Sequence, residues 1–154
     1  MNNGSYHPLE PWLGIDPFDS CSSQRPERIA EFNRRCTAAL AWIDEVFEAA
    51  TGTSGVFLLV QANPDNPPSN PQLCSSGFSD VMSRLATRAQ QYRKPVVLAH
   101  GDDHVFFIDQ PLPNLLFSRV QTYGEALVHW IKVNVDPRSS GVFSFEQTIV
   151  RSNL

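Results

Sequence analysis

The stretch Pro95-Val-Val-Leu-Ala-His-Gly-Asp-Asp-His104 joins an apolar run to a group of polar side chains. The apolar part lacks alternating polar residues, which is typical of a strand buried on both faces of a parallel sheet. His100, Asp102 and His104 follow at every second position. If the segment stays extended, the two-residue period of a strand points all three side chains to one side. The stretch therefore predicts a buried strand with a candidate chemical site at its carboxyl end.

A second apolar run, Gly55-Val-Phe-Leu-Leu-Val-Gln-Ala62, precedes it in the chain. The run also lacks alternation, and it predicts another strand buried on both faces. Between the two runs, apolar side chains recur at helical spacing and predict an amphipathic helix. These side chains are Phe78, Val81, Met82, Leu85, Ala89 and Tyr92. Strand, helix and strand in this order predict a βαβ unit with two parallel, neighbouring strands.

An earlier helix is predicted from Pro26 to about Thr51, since Pro suits a first helical position and Gly52 suits the end. Its apolar stripe consists of Ile29, Phe32, Cys36, Leu40, Ile43 and Phe47, and Trp42 is also assigned to the core. Residues 1–25 hold Pro, Gly and Ser without a period and are interpreted as an irregular segment.

Beyond residue 104 the pattern changes to four strand candidates separated by turn signals. They run from Val105 to Ile108, Leu116 to Tyr123, Val128 to Val135 and Val142 to Val150. The predicted fold class is therefore α/β, with a βαβ unit followed by a β meander. Residues 1–154 are interpreted as a single domain.

Composition excludes some partners. The net charge is -4 and the basic residues are scattered, so no nucleic-acid partner is expected. No apolar run approaches the ~20 residues that cross a bilayer, and the first residues lack the features of a signal peptide. No membrane partner is expected, and the compartment stays open.

The three cysteines are odd in number and have no CxxC spacing, which favours neither a disulfide framework nor a thiolate zinc site. Cys36 lies on the apolar stripe of the first helix, where a reduced thiol behaves as a small apolar side chain. Cys21 and Cys74 fall in predicted loops and could pair in an oxidising compartment.

The two apolar runs end in Gln61-Ala-Asn-Pro-Asp65 and His100-Gly-Asp-Asp-His104. Open α/β sheets bind ligands at the carboxyl ends of their strands, so these two loops are expected to meet. Carboxylate and neutral imidazole ligands suit divalent Mn, Fe or Zn, which could activate water for phosphoester displacement. For Asn63 and Asp65 a plain turn before Pro64 and Pro67 is the alternative.

The order of these elements resembles the C-terminal half of calcineurin-like metallophosphoesterases, and in particular a poorly characterised bacterial branch. The resemblance rests on the two apolar runs with their polar ends and on His129-Trp-Ile-Lys-Val133 in the β tail. For the branch it covers nearly the whole chain, including Asn2-Asn-Gly4 and Pro11-Trp-Leu-Gly-Ile15. The superfamily's N-terminal Asp-x-His, Gly-Asp and Gly-Asn-His motifs have no counterpart here. The resemblance therefore implies a partial domain that is not self-sufficient.

The resemblance also implies roles for individual residues. In the superfamily the first strand ends in a metal-binding histidine and the second in Gly-His-x-His. Here Gln61 stands at the first place and Gly101-Asp-Asp-His104 at the second. His104 is thus implied as a metal ligand, Asp102 as a carboxylate substitute, and Gln61 as a poor ligand that could only hydrogen-bond. His100 is implied as a catalytic residue, behind the ligands or on a substrate phosphate.

Two further residues are candidates for binding a phosphoester substrate. Arg119 could bind a phosphate bidentately, and His129 is a weaker candidate. An ion-paired Arg119 and a packed His129 are the structural alternatives. His100, Asp102 and His104 could likewise form a hydrogen-bonded cluster without metal.

Two other functions stay open. One is a non-catalytic interaction module whose exposed sheet edge pairs with a second chain or with itself as a homodimer. The other is a truncated product without activity.

Overall fold

The computed structural model describes residues 26–64, 77–125 and 127–153. The predicted irregular segment 1–25 lies outside the described residues, as do Asp65, Cys21 and Cys74. In the described part of the chain the elements are, in order, α1 (Pro26–Ala49), β1 (Val56–Leu59), α2 (Ser79–Tyr92), β2 (Val96–His100), β3 (Phe107–Asp109), β4 (Phe117–Gln121), β5 (Trp130–Val135) and β6 (Phe143–Thr148). Short 3-10 turns, Ala50–Gly52 and Arg151–Asn153, follow α1 and β6.

The structure confirms both predicted helices. The apolar stripe of α1 is buried at Phe32, Cys36, Ile43 and Phe47. Trp42 is 51% exposed, so its assignment to the core is wrong, because it lies off that stripe. Neither α1 nor α2, the helices of the described residues, is long and apolar enough to cross a membrane.

The two helices pack side by side and are joined by ion pairs. The Arg88 guanidinium donates to the Asp44 carboxylate at 2.7 Å, and Arg84 donates to the same carboxylate. These bonds, with that from Arg88 foremost, hold the pKa of Asp44 below its usual value.

The last turn of α2 closes with Arg93 in the left-handed region (φ 57°), where its N–H donates to the Ala89 carbonyl at 3.1 Å.

The four-stranded sheet has the order β1-β2-β4-β3. β1 and β2 are parallel neighbours joined by α2, which confirms the βαβ unit. β4 is parallel to β2 and antiparallel to β3. β3 and β4 are antiparallel neighbours, as a meander requires, but the predicted meander is wrong after β4, because β4 pairs with β2 and β5 and β6 form a separate sheet. β4 is the most buried strand of the second half, and Phe117 and Val120 are covered on opposite faces of the sheet.

β1 is an edge strand of the sheet, and the prediction that it is buried on both faces is wrong. Val56 and Leu58 are buried, whereas Phe57 is 38% and Leu59 72% exposed. The run lacks alternation, so sequence alone could not separate an edge strand with one apolar exposed face from a central strand.

Two layers cover the two faces of the sheet. On one face, α1 and α2 bury Val96, Leu98 and Phe117 of the sheet in the larger core cluster. On the other face, Val97, Ala99 and Val120 pack against side chains of β5 and β6, which include Ile131, Phe143 and Phe145. β5 and β6 form a separate antiparallel hairpin. The fold class is α/β, as predicted, with a mixed sheet and a second, two-stranded sheet.

A matched pair of leucines tests this layering. Leu98 is 2% exposed and Leu59 is 72% exposed. We expect Leu98→Ala to lower the free energy of unfolding by ~2–5 kcal/mol, because it leaves a cavity between the sheet and the helices. Leu59→Ala is expected to change it by less than ~0.5 kcal/mol. Urea titration followed by circular dichroism measures both values, and equal losses would contradict the assignment of β1 to the edge.

Candidate functional site

Three loops meet at the carboxyl ends of the parallel strands β1, β2 and β4. The Gly101 N–H, after β2, donates to the Gln61 carbonyl, after β1, at 3.0 Å. The Thr122 N–H, after β4, donates to the His100 carbonyl at 2.8 Å. The expected meeting of the first two loops is confirmed. The third loop was missed, because β4 was predicted as part of a meander rather than as the neighbour of β2.

Asn63 ties the first loop to two carboxylates of the second. Its backbone N–H donates to Asp102 Oδ2 at 3.2 Å, and its side-chain amide donates to Asp103 Oδ2 at 2.6 Å. Gln61 Nε2 lies at a long 3.5 Å from Asp102 Oδ1. Both aspartates are exposed. The site thus presents two carboxylates to solvent, and hydrogen bonds from Asn63 hold them in place.

The extended backbone that would point the three alternating residues to one side ends at His100, so the condition for that expectation is not met. β2 ends at His100, which is buried, whereas Asp102 and His104 are exposed. Asp102 and His104 have positive φ values of 90° and 63°. These values break the extended backbone and with it the two-residue period. Non-glycine residues in this region are uncommon and cluster at functional sites, although Asp and His enter it more readily than most.

His104 packs against the loop that follows β4. A Cβ atom added to Gly124 would overlap the imidazole and would lie 2.7 Å from His104 Cβ. The absence of a side chain at Gly124 therefore creates the space for the ring. The imidazole thus lies between the second and third loops, with its residue exposed to solvent.

His100 is buried, with only 1% of its surface exposed. Its Nδ1 lies 2.9 Å from the Gly101 carbonyl, so Nδ1 carries the hydrogen and donates it. The ring also packs edge-on against Phe107 at 6.0 Å. Burial, the largest influence, lowers the pKa of His100 below its usual value. The imidazole is therefore neutral at neutral pH.

Gln121 lies beside His100 on the neighbouring strand and was not predicted as part of the site. The two residues are register partners, and Gln121 is fully buried. Its Nε2 donates to the Val105 carbonyl at 2.7 Å. The sequence did contain a signal for Gln121: a glutamine ends its strand, just as Gln61 follows the apolar run of β1.

The two candidate substrate residues both have protein partners. Arg119 donates to Asp109 through Nε at 2.9 Å and through a second nitrogen, and its guanidinium lies 5.0 Å above the Phe107 ring. His129 Nδ1 accepts the Val150 N–H at 3.3 Å, and its ring packs against Tyr123 at 4.9 Å.

In residues 26–64, 77–125 and 127–153, no group of three or more His, Cys, Asp or Glu side chains could hold a metal ion. Asp102 offers a carboxylate oxygen and His104 an imidazole nitrogen. With the other described residues they do not make up a full set of metal ligands. Cys36, the free cysteine of this part, is buried on α1, where burial raises the pKa of its thiol.

Comparison with known proteins gives no relative. The chain matches no protein-family model, no curated protein and no solved structure.

Gly124→Ala tests the packing of His104 against the third loop. The added methyl group should displace the imidazole and lower the free energy of unfolding by ~0.5–1 kcal/mol, at the low end of single-residue effects because His104 is exposed. Gly52→Ala is the matched control, because nothing lies within 4 Å of its added Cβ. Imidazole NMR shifts of His104 should change in the first variant alone. Unchanged His104 shifts in Gly124→Ala would contradict the described contact.

Proposed function

We propose that the chain is the C-terminal half of a calcineurin-like metallophosphoesterase domain and contributes one side of a phosphoester hydrolase site. The observation that carries the proposal is the Asn63 bridge, which joins the loop after β1 to Asp102 and Asp103 in the loop after β2, at the carboxyl end of the parallel strands. The Gly101-Asp-Asp-His104 segment, which resembles the Gly-His-x-His motif, forms the second loop of this site.

The location supports the proposal independently of the motif. Ligands of open α/β sheets bind outside the carboxyl ends of the strands. The exposed carboxylates at this end, together with the His104 imidazole, offer the oxygen and nitrogen ligands that Mn, Fe or Zn prefer. Left-handed backbone at Asp102 and His104 adds the local strain that is common in functional loops.

The ligands of the described residues fall short of a metal centre. A catalytic site needs about three protein ligands for each ion and an open position for water. Asp102 and His104 supply only part of such a shell, and Gln61, which is exposed, contributes a weak amide oxygen. Hydrolysis therefore requires further ligands. Arg119 and His129 are not assigned to substrate, because both make contacts within the protein.

Metal binding tests the proposal. We expect the purified chain, incubated with Mn²⁺ or Zn²⁺ and then desalted, to retain metal measurable by inductively coupled plasma mass spectrometry. Asp102→Asn and His104→Ala should each lower the affinity by at least about tenfold, the scale of losses at metal sites. Asp136→Asn is the matched control, because Asp136 is an exposed carboxylate after β5 whose bonds are to Arg138.

Retention of metal by the wild type and the control, with loss in both site variants, supports a ligand role for this loop. Phosphodiester and phosphomonoester substrates would then be screened with the metal-loaded chain. Equal metal content in all four proteins, or none in any, contradicts the metal part of the proposal.

A second candidate function, a self-associating module, is favoured by the edge strand β1. In the described part of the chain, β1 pairs with β2 alone. Phe57 and Leu59 lie on the partly open face beside that edge. An unprotected apolar edge can pair with another strand, and two copies of β1 could form a continuous sheet.

Sedimentation velocity over a range of concentrations tests this candidate. We expect the wild type to dimerise and Leu59→Lys to weaken the dimer by at least about tenfold, because an edge lysine opposes strand pairing. Ile108→Lys places the same charge on β3, at the opposite edge, and should still dimerise. A wild-type chain that stays monomeric throughout would exclude association through β1.

A further inference from the structure

Two buried side chains each hold one end of the loop that carries Asp102 and His104. His100 Nδ1–H donates to the carbonyl of Gly101, where the loop begins. Gln121 Nε2–H donates to the carbonyl of Val105, just after His104. Both side chains come from central strands of the sheet, so the two anchoring points are set by the rigid part of the fold.

The other polar atom of each side chain has no partner. Among the described residues, His100 Nε2 and Gln121 Oε1 are buried without a hydrogen bond. His100 and Gln121 are register partners on β2 and β4, so their side chains emerge on the same face of the sheet. A buried polar atom without a partner destabilises the fold, because it has lost its hydrogen bonds to water and gained none. Two such atoms on adjacent strands and on one face are placed to share a partner.

The chemistry of the two atoms defines that partner. Because Nδ1 carries the hydrogen of the neutral imidazole, Nε2 has a lone pair and accepts. Gln121 uses its amide nitrogen on Val105, so Oε1 also accepts. Two acceptors cannot bond to each other. One small group with two hydrogens to donate satisfies both, and water is the smallest neutral group of this kind.

We propose that His100 and Gln121 form an internal water-binding site, and that the bridged pair acts as a clamp that fixes the Gly101–Val105 loop. The bound water donates one hydrogen to His100 Nε2 and the other to Gln121 Oε1. His100 is then a positioning residue for the loop, not a group in contact with substrate. This inference concerns the conformation of the loop and is independent of metal binding or hydrolysis.

The clamp explains how the loop keeps two residues in left-handed backbone. Positive φ at Asp102 and His104 persists only where the surroundings determine it strongly. The carbonyl before Asp102 and the carbonyl after His104 are both held by buried donors, which leaves little freedom between them.

Gln121→Met tests the clamp, because methionine keeps the length of the side chain and removes both polar atoms. Water ¹⁷O magnetic relaxation dispersion should count one fewer long-lived internal water in the variant than in the wild type. Hydrogen exchange at the Gly101 and Thr122 amides should become about tenfold faster, as expected for the loss of a buried hydrogen bond. Gln147→Met is the control, because Gln147 is exposed and bonds to Tyr123.

A measurement on the wild type keeps the test decisive if Gln121→Met does not fold. The ¹⁵N shifts of His100 should show the neutral Nδ1–H tautomer with Nε2 accepting a hydrogen bond. An Nε2–H tautomer, or an Nε2 without a hydrogen bond, overturns the proposal. So does an unchanged water count or unchanged exchange in a folded Gln121→Met. Metal-binding results bear on none of these readouts.

Discussion

Burial of β2 on both faces is the constraint on which the rest of the structure depends. All five of its residues, Val96–His100, are buried. One set of alternate side chains packs under the two helices and the other under the β5–β6 hairpin. The strand therefore fixes both layers at once. Its carboxyl end emerges at the surface between β1 and β4, and this position creates the candidate site.

The face of the sheet that lies under the helices changes from apolar to polar along the strands. Val96 and Phe117 form an apolar row, the next row contains the Arg119–Asp109 ion pair, and the last contains His100 and Gln121. The apolar row lies in the core under the helices, where no polar partner is required. The polar rows lie toward the loops. Buried polar groups are tolerated there because backbone carbonyls and an opposite charge satisfy most of them.

Much of this arrangement could be predicted from sequence, and the errors have a physical pattern. Helical spacing located α1 and α2, and the apolar run before His100 located the central strand. The order of strands was inaccessible, because the position of β4 between β2 and β3 depends on long-range pairing that no local pattern encodes. The expectation that His100, Asp102 and His104 point to one side failed for a related reason. A period of two has meaning only while the backbone stays extended, and positive φ values end it directly after β2.

Chain order and spatial order differ in this sheet, and the difference matters when the protein is made. β2 is synthesised before β4, yet β4 is the strand that covers its second edge. During synthesis the strand that is buried along its whole length therefore has one unpaired edge until residue 121 has left the ribosome. Exposed apolar edges of this kind are where nascent chains associate wrongly. The short connection through β3 limits this interval, since β4 follows β2 by fewer residues than β2 follows β1.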